Sequence, residues 1–159
     1  MSYNPYNKYV KKYQESNVNT ADPKKIMIML FDACIQFLQK AVVGIEQKNL
    51  AEKTNNINSA KQILREFMRT IDLENGNDTS KQLYLFYNKK INILTKASIH
   101  RDAEAVKQTI QDLSDIKSAF EQAIKIVNQD LSKMEQEEER LRYEQSLRER
   151  ESSGNDYEV

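Results

Sequence analysis

Apolar residues recur every three or four positions along four long stretches of this 159-residue chain. That spacing places the apolar side chains on one face of an α-helix, and we find no alternating pattern of the kind that a half-buried strand shows. Residues that break helices are scarce, because the chain contains only three Gly and two Pro. The sequence therefore predicts an all-α fold, an antiparallel four-helix bundle with short connections.

The helix starts carry capping signals. Asp22 precedes Pro23, which suits the first helical position, and Asn49 with Glu52 resembles a capping box. Asp78 and Asp102 are the predicted caps of two further helices. The four predicted helices span about residues 23–48, 50–73, 79–99 and 103–134.

Two predictions concern the later part of the chain. Gly76 is predicted to end the second helix in a left-handed conformation. The fourth helix is predicted to keep a buried face over eight turns, formed by Val106, Ile110, Leu113, Phe120, Ile124, Val127, Leu131 and Met134. Residues 135–151 carry eleven charges in seventeen positions and predict a solvated, fraying helical extension. The last eight residues are predicted to be disordered.

The first predicted helix is more apolar than a bundle requires. Ile26–Phe31 is a run of six apolar residues, and on a helical wheel the apolar arc covers roughly 220°, about twice the minimum for a core-facing helix. A central helix with two neighbours explains such an arc. Alternatively, part of the arc stays open as a groove for an amphipathic segment of another protein. The candidate groove residues are Met27, Ile28, Phe31 and Ile35.

Four of the eight tyrosines lie near the N-terminus, at spacings of three, three and four residues: Tyr3, Tyr6, Tyr9 and Tyr13. This spacing puts them on one helical face. They belong either to a disordered tail or to a segment that docks transiently. In the second case Tyr6 and Tyr9 are the candidate cover of the groove.

The residues that most catalysis requires are nearly missing. Cys34 is the single cysteine and His100 the single histidine, and neither has a partner at metal-ligand spacing. Cys34 is predicted to be a buried, small apolar residue. We therefore expect no enzymatic activity, no metal and no cofactor.

Charge and hydropathy narrow the possible partners. The 24 basic residues equal the 24 acidic ones, so the basic excess of a general nucleic-acid binder is absent. The longest apolar run is far shorter than the roughly 20 residues of a membrane span. No basic-then-apolar secretion signal is recognisable. We expect a cytoplasmic protein with no nucleic-acid partner and no membrane insertion.

An ordered series of motifs resembles the FliS family, the flagellin-specific export chaperones of bacteria. The matching stretches are "NPYNKY" (4–9), "NVNTADPKKI" (17–26), "MLFDACIQFLQKA" (29–41), "INSAKQIL" (57–64), "TIDLENG" (70–76), "LYLFYNKKI" (83–91) and "SAFEQA" (118–123). Phe31, Ala33 and Phe120 stand where the family usually has Tyr, Gly and Trp. The charged extension after Met134 is longer than the family leads us to expect.

The resemblance implies a helical bundle that binds the disordered C-terminal segment of flagellin in apolar surface grooves. It implies that binding prevents premature polymerisation in the bacterial cytosol and presents the subunit to the flagellar export apparatus. It also implies an N-terminal segment that covers a groove until the client arrives. The free protein is expected to be a monomer or weak dimer.

The expected organisation has three parts: an N-terminal cap segment (1–20), a helical-bundle chaperone domain (21–134) and a charged C-terminal extension (135–159). The alternative is a structural or regulatory helical bundle that self-associates through the same apolar surface and has no secretion client.

Overall fold

Four helices are present in the computed structural model, which describes residues 22–155 and side chains as far as residue 154. They are α1 (Pro23–Glu46), α2 (Leu50–Thr70), α3 (Asp78–His100) and α4 (Ala103–Asn155), and no strand occurs within this range. The chain divides into two compact units between Ala119 and Phe120. The predicted all-α class is confirmed.

Three helices start at the predicted caps. Oδ1 of Asp22 accepts a hydrogen bond from the Lys24 N–H at 3.0 Å, and Oδ1 of Asn49 accepts one from the Glu52 N–H at 3.1 Å. Oδ1 of Asp102 does the same at the start of α4, with the N–H of Ala105 as donor at 3.1 Å. Each side chain satisfies a backbone donor that has no partner within its helix.

The reciprocal half of the predicted capping box is not formed. The Asn49 N–H donates to the Gly44 carbonyl at 2.8 Å instead of to Glu52. This bond belongs to the short α1–α2 connection, in which Lys48 adopts a left-handed conformation with φ 57°. The left-handed residue ends α1 at Glu46, two residues earlier than predicted.

The prediction for Gly76 was wrong. No glycine among residues 22–154 has a positive φ, and α2 ends at Thr70 rather than near residue 73. The Asp72 carboxylate accepts hydrogen bonds from the N–H groups of Glu74 and Asn75, both at 3.1 Å, which folds the chain into a turn. Gly76 is needed for close approach, because a Cβ there would lie 2.2 Å from the Asp72 carbonyl oxygen.

Asn77, and not Asp78, is the N-cap of α3. Its Oδ1 accepts a hydrogen bond from the Ser80 N–H at 3.0 Å. The turn places Asn77 in the extended conformation that an N-cap requires, and Asp78 becomes the first helical residue. An acidic residue at that position interacts favourably with the helix dipole.

Helices α1 and α2 pack antiparallel at very short distance. The end of α1 meets the start of α2 at Gly44, where a Cβ would lie 2.6 Å from the Lys53 nitrogen. Further along, the Cys34 thiol donates to the Ala60 carbonyl at 3.6 Å. Because the residue numbers rise on one helix as they fall on the other, the two helices run in opposite directions.

The aromatic rings of Phe31, Phe67 and Tyr87 join the first three helices. The Phe67 centroid lies 4.6 Å from that of Phe31 on α1 and 5.4 Å from that of Tyr87 on α3. All three side chains are buried, and Phe31 has no exposed surface. Offset aromatic pairs at these distances add to the stabilisation from burial. The Phe31 ring therefore belongs to this core, and its predicted place in a client-binding groove stays a prediction.

Charged side chains connect α3 to its neighbours. The buried Lys53 of α2 donates from Nζ to the Ser98 carbonyl at 2.7 Å, in the last turn of α3, where the helix dipole favours a cation. Lys90 of α3 is buried, lies 5.2 Å from the Phe86 ring centre and forms an ion pair with Asp112 of α4. The hydrogen bond from Lys90 holds the pKa of Asp112 below its usual range.

Two ion pairs join α4 to α1 and complete the first unit. Lys117 Nζ lies 2.5 Å from an Asp32 carboxylate oxygen, and Lys107 Nζ lies 3.6 Å from one of Glu46. The order of these pairs along the two helices shows that α1 and α4 are antiparallel. Residues as far as Ala119 thus form the predicted antiparallel bundle.

The second unit departs from the predicted burial pattern. Val127, Leu131 and Met134 are 44%, 48% and 60% exposed, so the fourth helix does not keep a buried face to residue 134. Their spacing is that of a core helix, but no helix covers them among the described residues of this unit. The spacing of apolar residues alone does not reveal whether another helix is present to cover them.

The charged C-terminal part is one continuous helix. Residues 152–155 are helical, contrary to the disorder predicted for them, and α4 ends at Asn155. Glu138 and Arg142 form a pair at 3.8 Å, and Glu144 pairs with Arg140 at 2.9 Å. Such i,i+4 pairs stabilise an exposed helix by about 0.2–0.5 kcal/mol each.

By length and composition alone, α1 is apolar enough to span a membrane, although its longest unbroken apolar run is short. Core helices of bundles pass the same test. Here Leu30, Phe31, Ala33, Cys34 and Leu38 of α1 are buried in the fold. The residues of this face contribute to the bundle core.

The close approach at Gly44 predicts a selective loss of stability. We expect Gly44→Ala to lower the free energy of unfolding by about 1–3 kcal/mol, because the new methyl group would overlap the backbone of α2. Gly154→Ala is the matched control, since no atom lies within 4 Å of a Cβ there. Urea unfolding followed by circular dichroism measures both. Equal stability of Gly44→Ala and the wild type would contradict this account.

Loss of a ring from the aromatic core is predicted to lower the free energy of unfolding more than the substitution at Gly44 does. We expect Phe31→Ala to lower the free energy of unfolding by about 3–5 kcal/mol, because it removes a fully buried ring. Ile99→Ala is the control, as Ile99 is 70% exposed, and it should change stability by less than about 0.5 kcal/mol. Wild-type stability of the Phe31 variant would show that the ring is not part of the core.

Candidate binding face

One edge of α1 remains partly accessible beside the core. Met27, Ile28 and Ile35 are half-buried, whereas Phe31 is fully buried. Ile28 and Ile35 are seven residues apart and therefore lie nearly in line along the helix. The structure thus divides the four predicted groove residues into three at the surface and one in the core.

The line from Ile28 to Ile35 follows the side of α1 that faces α4. Asp32 lies between them on the same face, four residues after Ile28 and three before Ile35, and it is bound to Lys117 of α4. The Asp32–Lys117 ion pair therefore places this edge beside the first part of α4. Two neighbouring helices with apolar side chains at their edges can form a groove for a third segment.

A surface depression of about 230 Å³ lies further along the same side of α1. It is lined by Gln39 and Val42 of α1 and by Lys107 and Ile110 of α4. Val42 follows Ile35 by seven residues, so the depression continues the line of the half-buried isoleucines. Its volume is below the roughly 300–1,000 Å³ of a pocket for a drug-sized ligand. Single apolar side chains fit a depression of this size better than a cofactor.

One lysine and two glutamates border the depression. Lys107 Nζ lies 3.3 Å from Glu104 and 3.6 Å from Glu46. The hydrogen bond to Glu104, and then the charges of Glu104 and Glu46, raise the pKa of Lys107 above its usual value. Lys107 is therefore a cation at neutral pH. Its charge is already paired with two carboxylates, so Lys107 does not present an unpaired positive charge to a ligand.

The thiol of Cys34 is unsuited to chemistry. It has no exposed surface, and burial raises its pKa well above the usual range, so the reactive thiolate is suppressed. The prediction that Cys34 is a buried apolar residue is confirmed. Burial also raises the pKa of the nearby Tyr87 hydroxyl, with the charge of Cys34 as a smaller cause. Both groups stay neutral within the core.

Between residues 22 and 154, no cluster of three or more His, Cys, Asp or Glu side chains could hold a metal ion. His100 is exposed at the end of α3. Tyr6 and Tyr9, the candidate cover residues, lie outside the described residues.

Sequence reasoning missed the depression at Gln39, Val42, Lys107 and Ile110. The spacing of Ile28, Ile35 and Val42 along α1 was visible, but the contribution of α4 was not. A depression between helices depends on which helix lies next to α1, and no local pattern specifies that neighbour.

Comparison with known proteins identifies the family. Residues 5–127 match the family model described as flagellar protein FliS. The chain is 28% identical to the flagellar secretion chaperone FliS of Bacillus subtilis over 127 residues, which cover 80% of this chain and 91% of the relative. It is 29% identical to the protein of the same name from Salmonella typhimurium, over 72% of this chain and 85% of the relative.

A solved structure supports the fold. The crystal structure of a bacterial flagellar chaperone superimposes with a TM-score of 0.61 at 16% sequence identity, over 72% of this chain and 94% of that one. The family match covers most of the sequence, including α1, α2, α3 and the first part of α4. This chain belongs to the FliS family, whose curated members named here are flagellar secretion chaperones.

Proposed function

We propose that this chain binds the C-terminal segment of flagellin, prevents its premature polymerisation in the bacterial cytosol and presents it to the flagellar export apparatus. The observation that carries the proposal is the family match over residues 5–127, which includes α1 and its accessible apolar edge. No catalytic role belongs to this proposal.

The proposed groove follows the edge of α1 that faces α4. Met27, Ile28 and Ile35 are its contact residues, and the depression at Val42 and Ile110 receives a further apolar side chain of the client. Phe31 supports the groove from below, because its ring is held against Phe67. An amphipathic client segment would bind here with one apolar stripe towards α1.

The energetics allow both capture and release. Burial of each Leu-sized or Ile-sized side chain of the client contributes roughly 1.5–3 kcal/mol to the free energy of binding. Ordering a disordered client costs about 2–5 kcal/mol or more, which leaves the complex reversible without ATP hydrolysis. A client that is disordered when free can also extend along several helices of the bundle.

The half-buried isoleucines provide a direct test. We expect the double variant Ile28→Asp, Ile35→Asp to weaken binding of a peptide from the C-terminal segment of the cognate flagellin by about 100-fold, since two apolar contacts are lost. Isothermal titration calorimetry measures the affinity, and circular dichroism confirms that the variant is folded.

Ile99→Asp is the matched control, because Ile99 is an exposed isoleucine at the end of α3. It should bind the flagellin peptide within about twofold of the wild type, given that exposed substitutions away from a site have small effects. A folded Ile28, Ile35 double variant with wild-type affinity would remove these residues from the groove. Failure of the wild type to bind the peptide would overturn the proposed function itself.

The N-terminal segment provides a second test. We propose that residues 1–20 cover the groove until the client arrives, with Tyr6 and Tyr9 as the contact residues. Deletion of residues 1–20 preserves the Asp22 cap of α1 and should raise affinity for the flagellin peptide, because the peptide no longer competes with the cover. The double variant Tyr6→Ser, Tyr9→Ser should act in the same direction.

Ser2→Ala is the control for these changes, since it leaves the tyrosines intact. Titration calorimetry with the same peptide measures the affinities. Unchanged affinity in both the truncated chain and the tyrosine variant would contradict the covering role.

A further inference from the structure

The second unit of the chain presents an apolar stripe along α4, formed by Ile124, Val127, Leu131, Met134 and Leu141. Ile124 is half-buried, and the other four are between 44% and 60% exposed. We call these five residues the C-terminal stripe. Their spacings of three, four, three and seven residues are those of a coiled-coil seam. A helix that merely extends into solvent does not require such a seam.

The stripe occupies the two core positions of a heptad repeat. Ile124 and Leu131 take position a, and Val127, Met134 and Leu141 take position d. Glu138 takes the remaining a position, and it pairs with the exposed Arg142 of the same helix at 3.8 Å. A charged residue at one a position selects a partner that neutralises it and disfavours partners that do not.

The charges around the stripe are segregated. The six flanking e and g positions from 128 to 144 contain four acidic residues, one basic residue and one amide: Asn128, Asp130, Glu135, Glu137, Arg142 and Glu144. Lys125, Lys133 and Arg140 occupy positions b and c, away from the seam. The g positions along the stripe are all acidic, whereas the e positions hold one amide, one acidic and one basic residue, so the negative charge is concentrated on the g side.

Two of the flanking carboxylates already have a partner within the helix. Arg140 pairs with Glu137 at 2.5 Å and with Glu144 at 2.9 Å. The side chains of all three residues are between 42% and 57% exposed. Exposed ion pairs of this kind contribute only about 0–1 kcal/mol to stability. The cations of a partner can therefore compete with Arg140 for these carboxylates.

These charges disfavour a second copy of the same helix. In a parallel pair, position g of one helix meets position e of the next heptad on its partner, which opposes Asp130 to Glu135 and pairs Glu137 with Arg142. The two copies of Glu138 would also face each other at position a, within the apolar seam. In an antiparallel pair, g positions face each other, and Asp130, Glu137 and Glu144 are all acidic. Like charges across such a seam are destabilising.

We infer that the C-terminal stripe binds an amphipathic helix of another protein whose apolar seam is flanked by Lys or Arg. Apolar side chains of the partner cover the stripe, and its cations pair with the bordering carboxylates and with Glu138. Leu131, Met134 and Leu141 lie beyond residue 127, where the family match ends. The site is therefore distinct from the proposed flagellin groove on α1.

Two synthetic helical peptides test the inference with the full chain. Each has about three heptads with Ile at a and Leu at d, and the probe peptide has Lys at every e and g position, where the control peptide has Glu. Fluorescence anisotropy should show that the Lys peptide binds at least tenfold more tightly than the Glu peptide. Its affinity should fall between about 0.05 M and 0.15 M salt, because exposed charges are screened.

Matched variants locate the binding site. The double variant Leu131→Glu, Met134→Glu should lose at least tenfold in affinity for the Lys peptide, whereas Ile126→Glu should not. Ile126 is 57% exposed at position c of the same helix, outside the seam, so it controls for folding and added charge. The variant Glu135→Lys, Glu137→Lys should reverse the preference and bind the Glu peptide more tightly.

The results that test this inference can be distinguished from those that test the proposed function. The Leu131, Met134 variant should bind the flagellin peptide within twofold of the wild type. Equal affinity for the two synthetic peptides, no binding of either, or an equal loss in the Ile126 variant would overturn the inference. So would a concentration-dependent dimer, measured by light scattering, that excludes the Lys peptide, because a second copy would then cover the stripe.

Discussion

The contact of the Phe67 ring with Phe31 on one side and Tyr87 on the other is the interaction on which the bundle depends. The centre of the Phe67 ring lies 4.6 Å from that of Phe31 and 5.4 Å from that of Tyr87. The three buried rings belong to three different helices. They fix the rotation of α1, because the side that carries Phe31 must face inwards. Ile28 and Ile35 then come to lie at the edge of α1, where a client segment can reach them. The proposed groove is thus a consequence of the core.

The two units use the same kind of helix in different ways. In the first unit, residues at three- and four-residue spacing are covered by neighbouring helices, and ion pairs such as Asp32–Lys117 join the helices at the surface. In the second unit, the same spacing leaves Leu131 and Met134 about half exposed, within a border of carboxylates. An apolar face that stays about half exposed among the described residues of its unit, together with a row of carboxylates beside it, is typical of a surface that binds another helix.

Most of the fold was predictable because its signals are local. The caps Asp22, Asn49 and Asp102 act on backbone groups within three residues of themselves, and all three were assigned correctly. Errors arose where a local rule competed with another interaction. Gly76 satisfies the rule for a left-handed helix end. The chain, however, already turns before Gly76, where the N–H groups of Glu74 and Asn75 donate to the Asp72 carboxylate. Phe31 satisfies the periodicity of both a core face and a groove, and only its contact with Phe67 shows that the ring is part of the core.

Residue spacing and the order of motifs are enough to establish that the chain is helical, where three of its four helices begin, and that it resembles the FliS family. The division of the wide apolar arc of α1 into core and surface required the three-dimensional structure, because it depends on the neighbouring helices. For the same reason, apolar residues continue to recur at three- and four-residue spacing along α4 after the last position at which they are buried. Spacing shows that a helix has an apolar face, and the presence of a second helix decides whether that face is covered.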